Sequence, residues 1–321
     1  MTAAGCDMLV VDSLSEFKKI CVEPTALTLG KFDGFHIEHC RLVDKTVELA
    51  TQNNLKSVVI TFIDMPSSLS KTTKYLMTKE EKRMFLKDRG VDILIECHFT
   101  DELMHLSPED FVKSILTDSL HMKYICIGEN FTFGYKGIGD IELLTELSKK
   151  YNYGVHIEPT YILKGNVLSS TSIRENLKSG NMKSVREMLG HDYSLFGRVA
   201  RGNRLGHKIG IPTLNLYPAT YKALPPFGVY ATRVHIGNNI YDAVTNIGIR
   251  PTVENMGDVN IGAVSVESNI LDESFDRELY GTDIKVDVIE MIRPEEKFDS
   301  LEELKEAIAN DIIRAKEILA E

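Results

Sequence analysis

Short apolar runs alternate with helix-period stretches through the first half of the chain. Thr25-Ala-Leu-Thr-Leu29 is apolar with a β-branched share, and Gly30-Lys-Phe-Asp-Gly34 behind it signals a turn. A helical pattern then runs from about Ile37 to Ala50, and Ser57–Phe62, Val91–Ile95 and Lys123–Ile127 are further apolar strands. A helix is expected to open at Ser107-Pro108, with the serine as N-cap and the proline at the first helical position. Short apolar strands separated by helices imply a parallel sheet covered on both faces. Ser172-Ile-Arg-Glu175 has capping-box spacing, and Gly180 and Gly190 are stop signals around a second short helix, Met182–Leu189.

From Tyr193 to about Met291 the period shortens to two. Phe227–His235 alternates, Gly237-Asn-Asn239 is a hairpin turn signal, and Ile240–Ile247, Gly262–Glu267 and Ile284–Ile289 follow. This half reads as an antiparallel barrel or sandwich. An amphipathic helix, Leu301 to about Leu319, closes it, with Leu301, Leu304, Ile308, Ile312 and Ile313 on one side. The change of period places a domain boundary near residue 190, giving 1–190 and 191–321.

Composition narrows the class. At 321 residues and 43% hydrophobic the chain fills two ordinary cores, which excludes disordered and collagen-like proteins. A net charge of -10 repels a phosphodiester backbone, so no nucleic-acid partner is expected, although a local basic pocket remains open to a small anion. Cys6, Cys21, Cys40, Cys97 and Cys126 are odd in number and form no CxxC pair, which argues against disulfides and zinc and for a reducing compartment. Neither a membrane span nor a secretory leader is legible, so a cytoplasmic protein with no membrane partner is expected. No oligomeric state follows from the sequence.

Three places carry candidate chemistry. His36 and His39 share one face of the first turn of a helix that follows a strand, where helix amides and two imidazoles suit a polyphosphate. Two partly exposed histidines at a helix cap would show the same spacing. Thr213 and Asn215 set two neutral oxygen donors on one face of a strand, a hard-ligand pair that suits Mg²⁺ beside phosphates or simply makes turn hydrogen bonds. Glu267 is an acid in an otherwise apolar alternating strand, a position usually paired or functional.

The order of these motifs is informative. Gly30-Lys-Phe-Asp-Gly-Phe-His-Ile-Glu-His39 resembles the G-x-F-D-G-x-H-x-G-H motif of the bifunctional riboflavin kinase/FMN adenylyltransferases, the prokaryotic-type FAD synthetases. Further blocks keep that family's order: Thr61–Pro66, Gly128-Glu-Asn-Phe-Thr-Phe-Gly134, Leu168–Arg174, Gly202–Asn215, Asn246-Ile-Gly-Ile-Arg-Pro-Thr252, Val266-Glu267 and Lys297–Leu301. Any one block alone is a weak signal.

The resemblance implies a Rossmann-like nucleotidyltransferase domain followed by a six-stranded flavokinase barrel with a terminal helix. It implies FAD biosynthesis, with Mg²⁺ as cofactor and ATP, riboflavin and FMN as small-molecule substrates. It carries catalysis to His36, His39 and, as general base, Glu267. It carries ATP and phosphate binding to Gly30, Phe32, Asp33, Gly34, Ser170, Thr171 and Arg174, and to a flap through Gly202, Arg204, Gly206 and Lys208. Asn130, Phe131 and Arg293 fall to the flavin, and Thr213 and Asn215 to the metal.

The chain also departs from the pattern. Glu38 replaces the glycine between the histidines, adding bulk and negative charge where phosphates approach. Met65 replaces a histidine, Asn130 an aspartate, and Gly137 stands where an arginine is usual. In the kinase half Leu214 replaces an alanine, His207 an arginine, and Ser268-Asn269 the usual pair after the glutamate. Kinase activity is therefore expected to be retained and adenylyl transfer weakened. A monofunctional kinase with a degenerate first domain and a non-catalytic flavin-binding regulator are the alternatives. A different cytidylyl- or adenylyltransferase would not need the blocks at 212, 246 and 267.

Overall fold

A computed structural model describes residues 8–63, 74–201, 211–249, 264–272, 274–275 and 279–321. Met65, Gly202, Arg204, Gly206, His207 and Lys208 lie outside the described residues. The chain divides into two compact units, Met1–Ser170 and Thr171–Glu321.

In the first unit the elements are β1 (Leu9–Val11), α1 (Leu14–Ile20), β2 (Thr25–Gly30), α2 (Ile37–Asn53), β3 (Lys56–Ile63), α3 (Lys79–Asp88), β4 (Ile93–His98), α4 (Asp101–Met104), α5 (Pro108–Asp110), β5 (Met122–Gly128), α6 (Ile141–Tyr151), β6 (Gly154–Glu158) and a small hairpin, β7 (Ile162–Leu163) and β8 (Asn166–Val167). Six strands pair in parallel in the order β1-β4-β3-β2-β5-β6. Successive residues of each strand feed opposite faces. Val58, Ile60, Ile93, Ile95, Ile125 and Ile127 join one buried cluster, while Val59, Leu94 and Cys126 join another. The strand order reverses between β2 and β5, which is where open α/β sheets leave a ligand crevice.

The expected helix at Ser107 forms as read. Its side chain accepts from the Asp110 amide and Pro108 takes the first position. It then widens into a π-helical stretch, Phe111–Thr117. Cys21, Cys40, Cys97 and Cys126 are buried and unpaired.

The second unit opens with α7 (Ser170–Lys178, whose first residue closes the first unit) and α8 (Met182–Leu189). The division falls earlier than the boundary near 190 because α8 buries Met182, Val185 and Leu189 and packs on strands of this unit. The helix α7 also begins before Ser172, so the capping-box reading fails and Ser172 lies inside the helix, its carbonyl accepting from the Asn176 side chain.

Next come β9 (Tyr193–Arg198), β10 (Leu214–Leu216), β11 (Gly228–Ile236), β12 (Asn239–Ile249), β13 (Val264–Ile270), β14 (Asp283–Pro294) and α9 (Leu301–Ala320). All pairs are antiparallel, in the order β10-β13-β12-β11-β14-β9. The sheet curls until its two edges meet, the Ala200 amide donating to the Asn215 carbonyl at 2.8 Å. That seam settles barrel against sandwich. One outer face, Val229, Ala231 and Val244, is covered by Ala315, Ile318 and Leu319 of α9. Leu301 and Ile313 do not belong to the covered stripe, being 45% and 59% exposed.

Candidate active sites

The loop between β2 and α2 is shaped by strain and relieved by burial. Phe32 and Phe35 hold φ at 43° and 44°, a left-handed conformation unfavourable for bulky residues by about 1–3 kcal/mol each. Both rings are buried and stack at 5.3 Å, and burying each returns about 1.5–3 kcal/mol. Gly34 takes φ 90°, where a side chain would add to the strain. The Phe32 ring is therefore the floor of the loop. Asp33 is buried too, its Oδ1 accepting from the amides of Leu76 at 2.9 Å and Met77 at 3.4 Å. The Ser170 hydroxyl donates to the Asp33 carbonyl at 2.9 Å, tying a residue far along the chain to the loop. Gly30 ends β2 directly before it.

The floor carries the histidines. His36 and His39 stack at 3.7 Å between centroids, and Phe32 meets His39 edge-on at 5.1 Å. Nδ1 of both rings is buried without a hydrogen-bond partner among the described residues. His36 is buried as a whole, whereas His39 is half-buried with its Nδ1 turned inward. Burial lowers the His36 pKa to about 4. Burial, then the charge of His36 and of Lys82, holds His39 well below its ordinary value. Both rings are thus neutral at pH 7, as hydrogen-bonding groups toward an anion need not be charged. His36 caps α2 without a side-chain bond to its first turn, leaving those amides to a ligand.

The unfolded His36 ionises near 6.5, so below that pH the unfolded chain binds a proton that the folded ring refuses. Stability is expected to fall between about pH 6.5 and 4, by up to roughly 3 kcal/mol for this ring. Urea midpoints at about pH 7 and 5 measure it. His36→Gln should flatten the slope, and an unchanged slope would refute a buried neutral ring.

Glu38 stands in the first turn of α2 and reaches across the switch-point crevice. Its Oε2 accepts from the Tyr161 amide at 3.4 Å, and its Oε1 lies 3.2 Å from where a Cβ on Gly128, the last residue of β5, would be. Burial, and then the charges of Glu158 and Glu129, raise its pKa. Arg41 lies 4.8 Å over the Tyr161 ring and 3.5 Å from Glu158, so the crevice wall is already partly neutralised. Beyond β5, Asn130 is exposed and donates to the Thr160 hydroxyl at 3.2 Å, while Phe131 is half-buried and stacks on Phe133. On α7 Thr171 is exposed and Arg174 half-buried.

In the barrel a cavity of about 310 Å³ lies between the sheet and α9. Thr213, Asn246, Glu267, Asn269 and Arg293 all line it, together with Glu295, Phe298 and Asp311. Asn215 sits directly opposite Glu267 in the β10–β13 ladder, and Asn246 opposite it in the β12–β13 ladder. The Asn215 amide donates to the Thr213 carbonyl and hydroxyl, both at 3.3 Å, so these two neutral oxygen side chains converge. Glu267 is half-buried at the cavity wall, with Oε1 accepting from Ser265 at 3.4 Å, and is not the deeply buried acid that the apolar strand suggested.

Arg293 has three N–H groups engaged. Its Nε and Nη2 donate to Asp311 at 2.9 and 2.8 Å and its Nη1 to the Pro294 carbonyl at 3.3 Å. It pins α9 to β14 and shapes the cavity, rather than reaching freely for a flavin. The sequence assigns no role to Asp311, Asn246 or Glu295, although Asn246 opens one of the family-like blocks and Asp311 is an acid on the inner face of an amphipathic helix.

A family model described as FAD synthetase matches residues 18–172, and one described as riboflavin kinase matches 189–319. The bifunctional riboflavin kinase/FMN adenylyltransferase of Escherichia coli (strain K12) is 33% identical over 97% of each chain. That of Listeria monocytogenes is 31% identical over 89% of each. A crystal structure described as a macrolide-efflux protein from Streptococcus pneumoniae superposes with a TM-score of 0.79 at 26% identity, covering 97% of this chain and 99% of that one. No helix among the described residues is long and apolar enough to cross a membrane.

Proposed function

The chain belongs to the family of bifunctional riboflavin kinase/FMN adenylyltransferases, and we propose that it makes FMN efficiently and converts FMN to FAD more slowly. Kinase chemistry is assigned to 191–321 and adenylyl transfer to 1–190. The observation that carries the kinase reading is that Thr213 and Glu267 line one cavity while Asn215, opposite Glu267 in the ladder, bonds to Thr213.

Glu267 takes the proton from the riboflavin 5′-hydroxyl as that oxygen bonds to the γ-phosphorus of ATP, and the bond to the β-phosphate oxygen breaks to release ADP. Thr213 and Asn215 would hold Mg²⁺, a hard cation suited to neutral oxygen ligands beside phosphates. When bound, that ion supplies charge neutralisation between the phosphates. The pairing of neutral oxygens with a single nearby carboxylate fits such a site. Among the described residues no cluster of His, Cys, Asp and Glu offers a different metal centre.

In the first unit an FMN phosphate oxygen attacks the α-phosphorus of ATP and pyrophosphate leaves. The chain contributes α2 amides and the neutral His36 and His39 rings to the developing charge. The carboxylate of Glu38 opposes this, since it occupies the crevice that the nucleotide needs. That observation favours the second reading, a riboflavin kinase whose first domain turns over little. Small soluble substrates and buried, unpaired cysteines support a cytoplasmic enzyme with no nucleic-acid or membrane partner.

Purified chain incubated with riboflavin, ATP and Mg²⁺, with the flavins separated over time, tests both halves. FMN is expected to accumulate ahead of FAD. FAD rising in step with FMN would refute the obstruction by Glu38, and absence of FMN would refute the kinase reading.

A further inference from the structure

We propose that Asn269 is a positioning residue of the phosphoryl-transfer site, setting where Thr213 and Asn215 stand relative to Glu267. The inference rests on the kinase reading for its meaning, though not for its geometry. The β10–β13 ladder runs from Leu216↔Val266 to Leu214↔Ser268 and stops there. Continued by one residue, it would set Thr213 against Asn269. No backbone pair forms at that point; the Asn269 side chain takes over, its Nδ2 donating to the Pro212 carbonyl at 2.8 Å.

Each end of this bond suits the task. Asn269 is anchored from behind, since β13 continues to pair with β12 there, Val244 opposite Asn269. Pro212 has no N–H, so its carbonyl is the only backbone group through which that residue can be held. A carbonyl only accepts, so the amide nitrogen must face it and Oδ1 is turned elsewhere. The held segment leads directly into Thr213, whose hydroxyl and carbonyl both accept from Asn215. One side-chain amide therefore fixes Pro212, and Pro212 fixes the first of the two oxygen donors. Asn269 is also one of the departures from the family pattern, and an imidazole N–H is another group able to donate to a carbonyl at this point.

The test uses the full chain and Asn269→Ala, Asn269→Asp and Asn269→His. One lost hydrogen bond of ordinary strength corresponds to about fivefold in affinity. Asn269→Ala is expected to raise the KM for ATP at fixed Mg²⁺ about fivefold, with the KM for riboflavin within about twofold of the unaltered chain. Asn269→Asp should be worse, because it has no proton to give and turns a negative charge on the carbonyl. Asn269→His should recover most of the loss.

Calorimetric titration with Mg²⁺–ADP reads the same contact without turnover. It should weaken about fivefold in Asn269→Ala. If the unaltered chain forms no FMN, the kinase reading fails while this titration still judges Asn269. Unchanged Mg²⁺–ADP binding in Asn269→Ala would overturn the proposal. So would a rise in the riboflavin KM alone, which would make Asn269 a flavin contact. Equal weakening in Asn269→His and Asn269→Ala would overturn it as well, since the donated proton would then be irrelevant.

Discussion

Glu267→Gln is expected to reduce FMN formation by about 100- to 10,000-fold, the range in which a positioned general base contributes. The substitution keeps the shape of the side chain and an oxygen that can still accept from Ser265. It leaves the strand pairs of Glu267 with Asn215 and Asn246 untouched, because those are made by the backbone. Only the ability to take a proton disappears. Glu267 is half-buried on the cavity wall, so no uncompensated interior charge is removed and the thermal midpoint should move little. Riboflavin and Mg²⁺–ADP should still bind, which locates the loss in turnover. Unchanged turnover with the fold intact would remove Glu267 from the role of base.

Glu38→Gly is the second large expectation, and it is a gain. A carboxylate some 4 Å from a phosphate charge opposes it by about 4 kcal/mol at the effective dielectric near a protein surface. Arg41 lies beside Glu158 and offsets part of this field, so the repulsion felt by a nucleotide is smaller. An increase of tenfold or more in FAD formation from FMN and ATP remains the expected result. The gain has a structural counterpart. Glu38 is an acid in the first turn of α2, where it complements the helix dipole by about 0.3–1 kcal/mol. Glycine adds a further loss of about 0.5–1 kcal/mol in helix propensity. The variant should therefore be slightly less stable and yet faster. If FAD formation does not rise, suspicion moves to Asn130 and Met65.

What was legible in the sequence depended on how far apart the cooperating residues lie. The β2–turn–α2 unit could be read because an apolar run, two glycines and a helical period stand next to one another. The chain's family resemblance came from blocks of that local kind. Strand β6 escaped notice because Gly154–Glu158 is a half-exposed edge without an apolar run. Helix α3, Lys79–Asp88, is mostly charged and buries only Glu81 and Leu86. The π-helical turn after α5 has no residue signature of its own. In the site, the roles of the histidines depended on burial that spacing alone does not show. Arg293 looked like a flavin ligand because nothing local reveals that Asp311, a turn and a half-helix away, takes its donors. Asn269 looked like a mere deviation for the same reason, since Pro212 is distant in sequence and adjacent only across the ladder.

The buried cysteines have a redox consequence. Desolvation pushes the thiols of Cys40, Cys97 and Cys126 up to about 11 and raises that of Cys21. At neutral pH a thiol near 11 is ionised to roughly one part in ten thousand, and the thiolate is the form that attacks peroxide and disulfides. Reduced flavins generate peroxide when they meet oxygen. A protein that handles flavins while keeping these sulfurs protonated and buried, at the end of α1 and on α2, β4 and β5, slows their reaction with that peroxide.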